Sequence, residues 1–377
     1  MPNKKHHIAI LCSGLDSKLR GYETHQQLLF RMLMADGYSV VLFKRDGAFK
    51  FGKEIPLNTP SEKSRIARFV ARYYEDPNQV QKAFFAVAFV AFCAVFRQRY
   101  SCLMIIEPGV ARIVNKLRRF LPGKPRIIYT HGVGDGPEYY THYCDEIIEV
   151  NGPAFLKTKE FLMNKNIVKP VYCIPHFVDH PIIDSFQIEE AQLQELKSYF
   201  GLNTKYIALH VGLICEDPKN IQYIIEEVEG LSDDWSLFLV GEVQDTHLIQ
   251  LAKEKLGPRF SYTSLPRDKV WQAYAVSDFM VFASINEGFG LVIIESMLFN
   301  LPFLLPDIPL YRWITDSSES NLYTLKPGEL SHKLESSIEE REALERHVFK
   351  TKELLHRRYT WEAVKSQYFE TFQKQPE

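Results

Sequence analysis

Along the first half of the chain, short apolar runs alternate with longer stretches of helical periodicity. "HIAILCS" (7–13) predicts a strand, "YETHQQLLFRMLMADG" (22–37) a helix that stops at glycine, and "YSVVLFK" (38–44) a second strand. "SCLMIIE", "PRIIYTH" and "DEIIEVN" (145–151) predict further strands. Apolar strands separated by helices imply parallel βαβ units whose sheet is covered on both faces. The pattern restarts at residue 205. "KYIALHVGL" (205–213), "WSLFLVGE" (235–242), "RFSYTSL" and "DFMVFAS" (278–284) predict strands, with "NIQYIIEEVEGL" and "RDKVWQAYAVS" as helices among them. Residues 174–187, "IPHFVDHPIIDSFQ", have no periodicity and are rich in Pro, His and Asp, so they predict a linker ahead of a helix over 188–200. The expected fold class is α/β, with two Rossmann-like doubly wound domains, 1–180 and 181–355, facing a cleft. Sheets of this kind bind ligands beyond the carboxyl ends of their strands.

The length of 377 residues suits two domains at roughly 150 residues each. Hydrophobic residues make up 46% and charged residues 24%, enough apolar material for two cores. A net charge of −2 leaves no global basic field, so nucleic acid is not an expected partner and any attraction to anions must be local. The six cysteines are scattered, with no CxxC pair and no metal spacing, which suggests single core residues and a reducing, cytoplasmic setting. The start, "MPNKKHHIAILCSG", runs straight into a strand without a cleavage-site pattern, so no signal peptide is expected.

Two stretches raise the question of a membrane. "AFFAVAFVAFCAVF" (83–96) is apolar all round but shorter than the about 20 residues a bilayer span needs. It reads as a buried helix or as one that dips into a membrane interface. "ARIVNKLRRFLPGKPR" (111–126) carries Arg112, Lys116, Arg118, Arg119, Lys124 and Arg126 with Ile113, Val114, Leu117 and Phe120 interleaved. At helical spacing it is basic on one side and apolar on the other, which fits either an ordinary surface helix or contact with anionic headgroups.

The chemistry concentrates after residue 278. A strand is followed by the turn "INEGFG" and the helix-like "LVIIESMLF". Gly288 and Gly290 let the backbone approach a ligand, and a helix start offers unpaired N–H groups and a dipole to phosphate. Glu287 sits on the turn. Glu295 lies more than one turn into the helix, where a carboxylate could accept hydrogen bonds from ribose hydroxyls. A surface glutamate and a dipole-aligned glutamate would look the same.

Glu287 and Glu295 are separated by seven residues, and with "EGFG" and the flanks 273–307 they resemble the nucleotide-sugar motif of retaining glycosyltransferases with the GT-B fold, in particular glycosyltransferase family 4. Ala283 stands where that family usually has proline, and Asn300 where it usually has glycine. Other segments line up with it. "HVGLICEDPKN" (210–220) resembles the segment that carries Gly-Arg and then Lys; Gly212 and Lys219 are in place, and Leu213 occupies the arginine position. "SYTSLPRDKVWQAY" resembles the segment over the nucleobase, which places Leu265 at the base. "LDSKLRGYETHQQLL" (15–29) resembles the glycine loop of the first domain; Arg20 replaces the first glycine, while Gly21, Glu23 and His25 match. "RIIYTHGVGDG" puts His131 where the family has a histidine near the reacting sugar. "IPHFVD" resembles the close of the first domain, with His176 and Phe177 replacing Asn and Gly. "YTWEAVKSQYFETF" resembles the last helix, so residues 356–377 are expected to cross back onto the first domain.

The resemblance implies a metal-independent transferase that moves a sugar from a nucleotide-diphosphate sugar, UDP- or GDP-linked, to a hydroxyl of a glycan or lipid-linked acceptor, with retention. Glu287, His131 and Lys219 are the catalytic candidates. Glu295, Gly288, Phe289, Gly290, Gly212, Leu265, Gly21 and Arg20 are the candidates for holding the donor. Arg20 is also the candidate replacement for the cation absent at Leu213. The chain contains no DxD motif of the kind metal-dependent transferases use. A role in cell-surface glycan assembly, at the inner face of the membrane, is the expectation. A nucleotide-sugar epimerase of the same fold and a catalytically weak nucleotide-sugar-binding subunit are the alternatives.

Overall fold

A computed structural model describes residues 7–15, 21–47, 53–74, 76–132, 136–178, 188–316 and 321–373. The chain divides into two compact units, one of residues 1–176 with 364–377, the other of 177–363.

The first unit holds β1 (His7–Cys12), α1 (Gly21–Ala35), β2 (Ser39–Lys44), β3 (Glu54–Pro56), α2 (Arg65–Tyr74), α3 (Pro77–Val95), β4 (Cys102–Ile105), α4 (Pro108–Lys116), β5 (Arg126–Thr130), β6 (Glu146–Glu149), α5 (Gly152–Asn164) and β7 (Val171–Cys173). Its seven strands are all parallel in the order β3-β2-β1-β4-β5-β6-β7. Such a sheet is buried on both faces, so the inner residues of β1, β4, β5 and β6 are apolar, while Arg126, Glu146 and Glu149 at the ends of β5 and β6 are buried with partners. Local signals start the helices. Asp76 caps α3 by accepting from the Asn78 amide at 2.8 Å, with Pro77 in the first turn. Asn151 caps α5 through the Ala154 amide at 2.7 Å.

The second unit holds α6 (Glu190–Tyr199), β8 (Tyr206–Val211), α7 (Ile221–Glu229), β9 (Trp235–Val240), α8 (Thr246–Leu256), β10 (Phe260–Thr263), α9 (Trp271–Val276), β11 (Phe279–Val281), α10 (Leu291–Leu298), β12 (Phe303–Pro306), α11 (Pro309–Ile314), β13 (Leu322–Tyr323), α12 (Glu329–Glu339) and α13 (Arg341–Arg358). Its parallel strands run β10-β9-β8-β11-β12-β13. Ile221, Ile224, Ile225 and Val228 of α7 meet Trp235, Leu237 and Leu239 of β9 in its core. The last helix, α14 (Trp361–Gln373), begins in this unit and continues into the first, which holds residues 364–377. There the buried Arg126 guanidinium donates to the carbonyls of Thr371 and Phe372 at 3.0 and 3.2 Å, occupying acceptors that a helix end leaves open.

Two expectations change. Residues 111–126 are not one amphipathic helix. α4 ends at Lys116, a three-residue 3-10 turn follows, and Gly123 and Lys124 take left-handed φ values of +83° and +48° between two prolines. Arg118 is spent on Asp145 at 2.7 Å, and Arg126 is buried in β5 against Glu146. Two of the six basic side chains are therefore held by carboxylates of the fold, one of them in the interior. The apolar helix at 83–96 is α3, of which one face alone is in the core. The predicted linker at 174–187 lies in part outside the described residues. Its described start contains the buried His176, whose ring is tilted 43° against that of His25 with centroids 3.9 Å apart.

Candidate functional site

In the second unit the strand order reverses between β8 and β11, and two predicted residues meet there. After β8 the chain turns through Gly212 and reaches Lys219 just before α7. After β11 it runs through Ser284 to Glu287. The Lys219 ammonium donates to a Glu287 carboxylate oxygen. It also faces the Phe282 ring, 5.1 Å from the centroid. A Cβ on Gly212 would meet His210 Nε2 at 3.4 Å and Lys219 Nζ at 4.0 Å, ordinary contacts, so what calls for glycine there is its φ of +150°. A Cβ on Gly241, at the end of β9, would lie 1.7 Å from the Gly212 carbonyl oxygen, and the Gly241 φ is +154°. No side chain fits there. Burial, and then the Lys219 charge, push the His210 imidazole down to about 3; Nδ1 faces the Val281 carbonyl at 3.3 Å, and a neutral ring suits a cationic neighbour.

Gly290 takes φ +84° and starts α10, with its carbonyl bonded to the Ile293 amide at 2.9 Å. The dipole of α10 puts partial positive charge at this turn. Phe289 is buried edge-on against Trp313 and Tyr359, with ring centroids 6.4 and 5.8 Å away. It anchors the turn, so what residues 288–290 offer a ligand is backbone. Leu213, at the position where the resemblance expects arginine, is exposed.

Glu295 is buried one turn into α10, and both carboxylate oxygens are engaged. Arg267 grips it with two guanidinium nitrogens, and the Tyr274 hydroxyl donates at 2.7 Å. Burial holds the Tyr274 phenol well above its ordinary range, so it stays a neutral donor. Arg267 lies two residues past Leu265, which is half-buried between β10 and the 267–269 turn. The pair thus ties the segment of Leu265 to α10.

In the first unit, His131 follows β5 and faces Glu149 at the end of β6, with Nδ1 to Oε2 at 2.7 Å. Glu149 has no exposed surface, and it also accepts from the Tyr140 hydroxyl at 2.7 Å and the Thr158 hydroxyl at 2.6 Å. Burial alone would raise its carboxyl; the bonds from His131, Thr158 and Tyr140 outweigh that and hold it below the ordinary range. Gly21 opens α1, and Tyr22 beside it comes within 3.9 Å of where a Gly132 Cβ would be. At this sheet's own reversal, between β1 and β4, the Ser13 amide and hydroxyl donate to the Glu107 carboxylate at 2.8 and 2.6 Å. Arg20 lies outside the described residues.

Three residues that sequence reasoning passed over complete these clusters: Arg267, Tyr274 and Glu149. Glu149 carried a signal, an acid inside the apolar strand "EIIEV", which must be paired to be buried. Arg267 and Tyr274 carried none, because their partner is 28 and 21 residues away.

The two doubly wound units define a GT-B architecture, and the site occupies a strand-order reversal at a glycine turn. Residues 205–340 match the family model described as "Glycosyl transferases group 1". The match lies within the second unit and spans Glu287 and Glu295, the residues on which the resemblance was read. Mannosylglucosylglycerate synthase of Petrotoga mobilis is 25% identical over 150 residues, an alignment spanning 35% of this chain and 35% of that protein. Among solved structures, HepE of Anabaena, in complex with UDP and glucose, superposes with a TM-score of 0.74 at 13% identity, covering 97% of this chain and 99% of that one. A glycosyltransferase of Rickettsia africae gives 0.75 at 16% identity, covering 98% of each chain. WaaG, a glycosyltransferase involved in lipopolysaccharide biosynthesis, gives 0.71 at 12% identity, covering 97% and 99%. At these identities the solved structures speak to the fold alone.

Proposed function

We propose that this chain transfers a sugar from a nucleoside-diphosphate sugar to a hydroxyl of a glycan or lipid-linked acceptor, with retention of anomeric configuration. The observation that carries this is the meeting of Lys219 and Glu287 at the β8/β11 reversal, beside a glycine turn and a helix N-terminus within the matched domain. Charge developing on the departing diphosphate needs donors fixed in advance. Lys219 and the start of α10 supply a cation and backbone N–H groups without a metal ion. Glu295, oriented by Arg267 and Tyr274, holds the ribose; Leu265 lies at the base; Glu287 faces the sugar. His131, with its ring set by Glu149, positions the reacting sugar, and the leaving phosphate accepts the acceptor's proton. UDP is the favoured nucleotide, as in the HepE complexes. The setting is the cytoplasmic face of a membrane, in cell-surface glycan assembly.

The test is thermal stabilisation by UDP, GDP and ADP together with slow donor hydrolysis, repeated with Glu295→Ala. One diphosphate should stabilise the protein, and the variant should need about tenfold more of it, a loss of ~1.4 kcal/mol. Stabilisation by none of the three would end this reading. The exposed Leu213 favours one alternative, a binding subunit, and that alternative predicts stabilisation without any turnover.

A further inference from the structure

α3 is apolar on the side that faces away from the core as well as on the side that faces it. Phe85, Phe89, Val90 and Cys93 pack into the core of the first unit. α2 packs on its first turns, where Ala67, Ala71 and Val70 meet Val80 and Phe84. Beyond that contact the outer face continues as Val87, Ala91, Val95 and Phe96, at helical spacing and open to solvent; Val87 is 49% exposed, Val95 73% and Phe96 61%. On α2, Ile66 and Phe69 are 58% and 59% exposed. An ordinary surface helix is polar on this side, and contiguous exposed apolar surface marks a contact site. Arginines border it: Arg65, Arg68 and Arg72 on α2, with Arg72 over the Phe69 ring, and Arg97 and Arg99 just past α3, all exposed.

We propose that this α2–α3 face seats the protein on an anionic lipid surface, with α3 lying in the interface plane. By length and composition alone α3 passes for a membrane span. Its inner face is committed to the core, so it can lie on a bilayer but not cross one. Arginine stems cover apolar surface while their heads reach phosphate, which is the chemistry this border offers. A second copy of the chain fits less well, because a two-fold contact would set the same arginines against one another. The proposal rests on the functional reading above only in that an enzyme serving a lipid-linked acceptor needs such a face.

The experiment is co-sedimentation of the full chain with phosphatidylcholine vesicles and with vesicles that also contain phosphatidylglycerol. Binding to the anionic vesicles is expected, weakening as salt rises. Val87→Asp with Val95→Asp should reduce it at least tenfold, and Arg65→Ser with Arg68→Ser and Arg72→Ser should reduce it about fivefold per charge and flatten the salt dependence. Circular dichroism and nucleotide stabilisation, measured on the same samples, establish that each variant is folded and keep a failure here separate from failure of the transferase reading. Wild-type protein that ignores anionic vesicles, or apolar variants that bind them as well as wild type, would overturn the proposal. So would self-association that Val87→Asp abolishes.

Discussion

Replacing Glu287 with alanine separates the two roles drawn together at the strand reversal. The side chains of Lys219 and Glu287 are each 14% exposed. Opposite unit charges about 4 Å apart attract by roughly 4 kcal/mol at an effective dielectric near 20. Desolvation offsets much of this. Exposed pairs are worth up to about 1 kcal/mol, whereas breaking a buried pair costs about 3–5 kcal/mol. A pair this covered falls between, so the variant should lose about 1–3 kcal/mol of stability, or roughly 2–12 °C in Tm for a domain of this size. The freed ammonium is then left without its anion, and a diphosphate no longer competes with a carboxylate for it. Calorimetric titration with UDP should show Kd tightened about tenfold, ~1.4 kcal/mol, while turnover falls. Lys219→Ala should weaken UDP by a similar factor. If Glu287→Ala binds UDP more weakly than wild type while Lys219→Ala binds it unchanged, the diphosphate does not use this lysine and the assignment is wrong.

Three further outcomes follow from the geometry. Gly241→Ala should destabilise the second unit by about 1–3 kcal/mol and lose nucleotide stabilisation, because its Cβ and φ of +154° displace the Gly212 carbonyl; a urea midpoint equal to wild type would contradict this. Burial pushes His176 and His210 down to about 3 and His347 to about 4, against an ordinary value near 6.5. The unfolded chain therefore takes up protons below about pH 6.5 that the fold refuses, so stability is full above that pH and falls as pH drops. His347→Gln should remove one proton, ~1.4 kcal/mol per pH unit, from the slope of unfolding free energy between about pH 5.5 and 4.5. Glu149→Gln should lower kcat at least tenfold with donor KM little changed, and should add nothing in a His131→Ala background; additive losses would mean that Glu149 acts only as a structural clamp.

The alternation of apolar strands and helices was legible because parallel sheets bury both faces, and β1, β4, β5, β8 and β9 lie where their apolar runs lie. The edge strands β3, β7 and β13 escaped notice, since two or three residues form no pattern. The segment at 111–126 misled because the spacing of its charges is helical while Pro122 and Pro125 forbid a continuous helix. Within the site, Glu287, Lys219 and the glycines were visible as a local motif. The grip of Arg267 on Glu295 and of Glu149 on His131 was not, because each joins separate elements through the fold.

The hold of Arg126 on the end of α14 has a consequence for how the chain comes to be made. The first unit is left at residue 176 and rejoined at 364, so the second unit is, in topology, an insertion within it. Arg126 bonds carbonyls 245 and 246 residues downstream. At 5–20 residues per second, roughly 10–50 s of synthesis separate the arginine from its acceptors. Throughout that interval the nascent first unit lacks its closing helix, and the inserted unit is finished before that helix is made. Truncation after residue 363 would leave a molecule whose inserted unit is finished and whose older half is not.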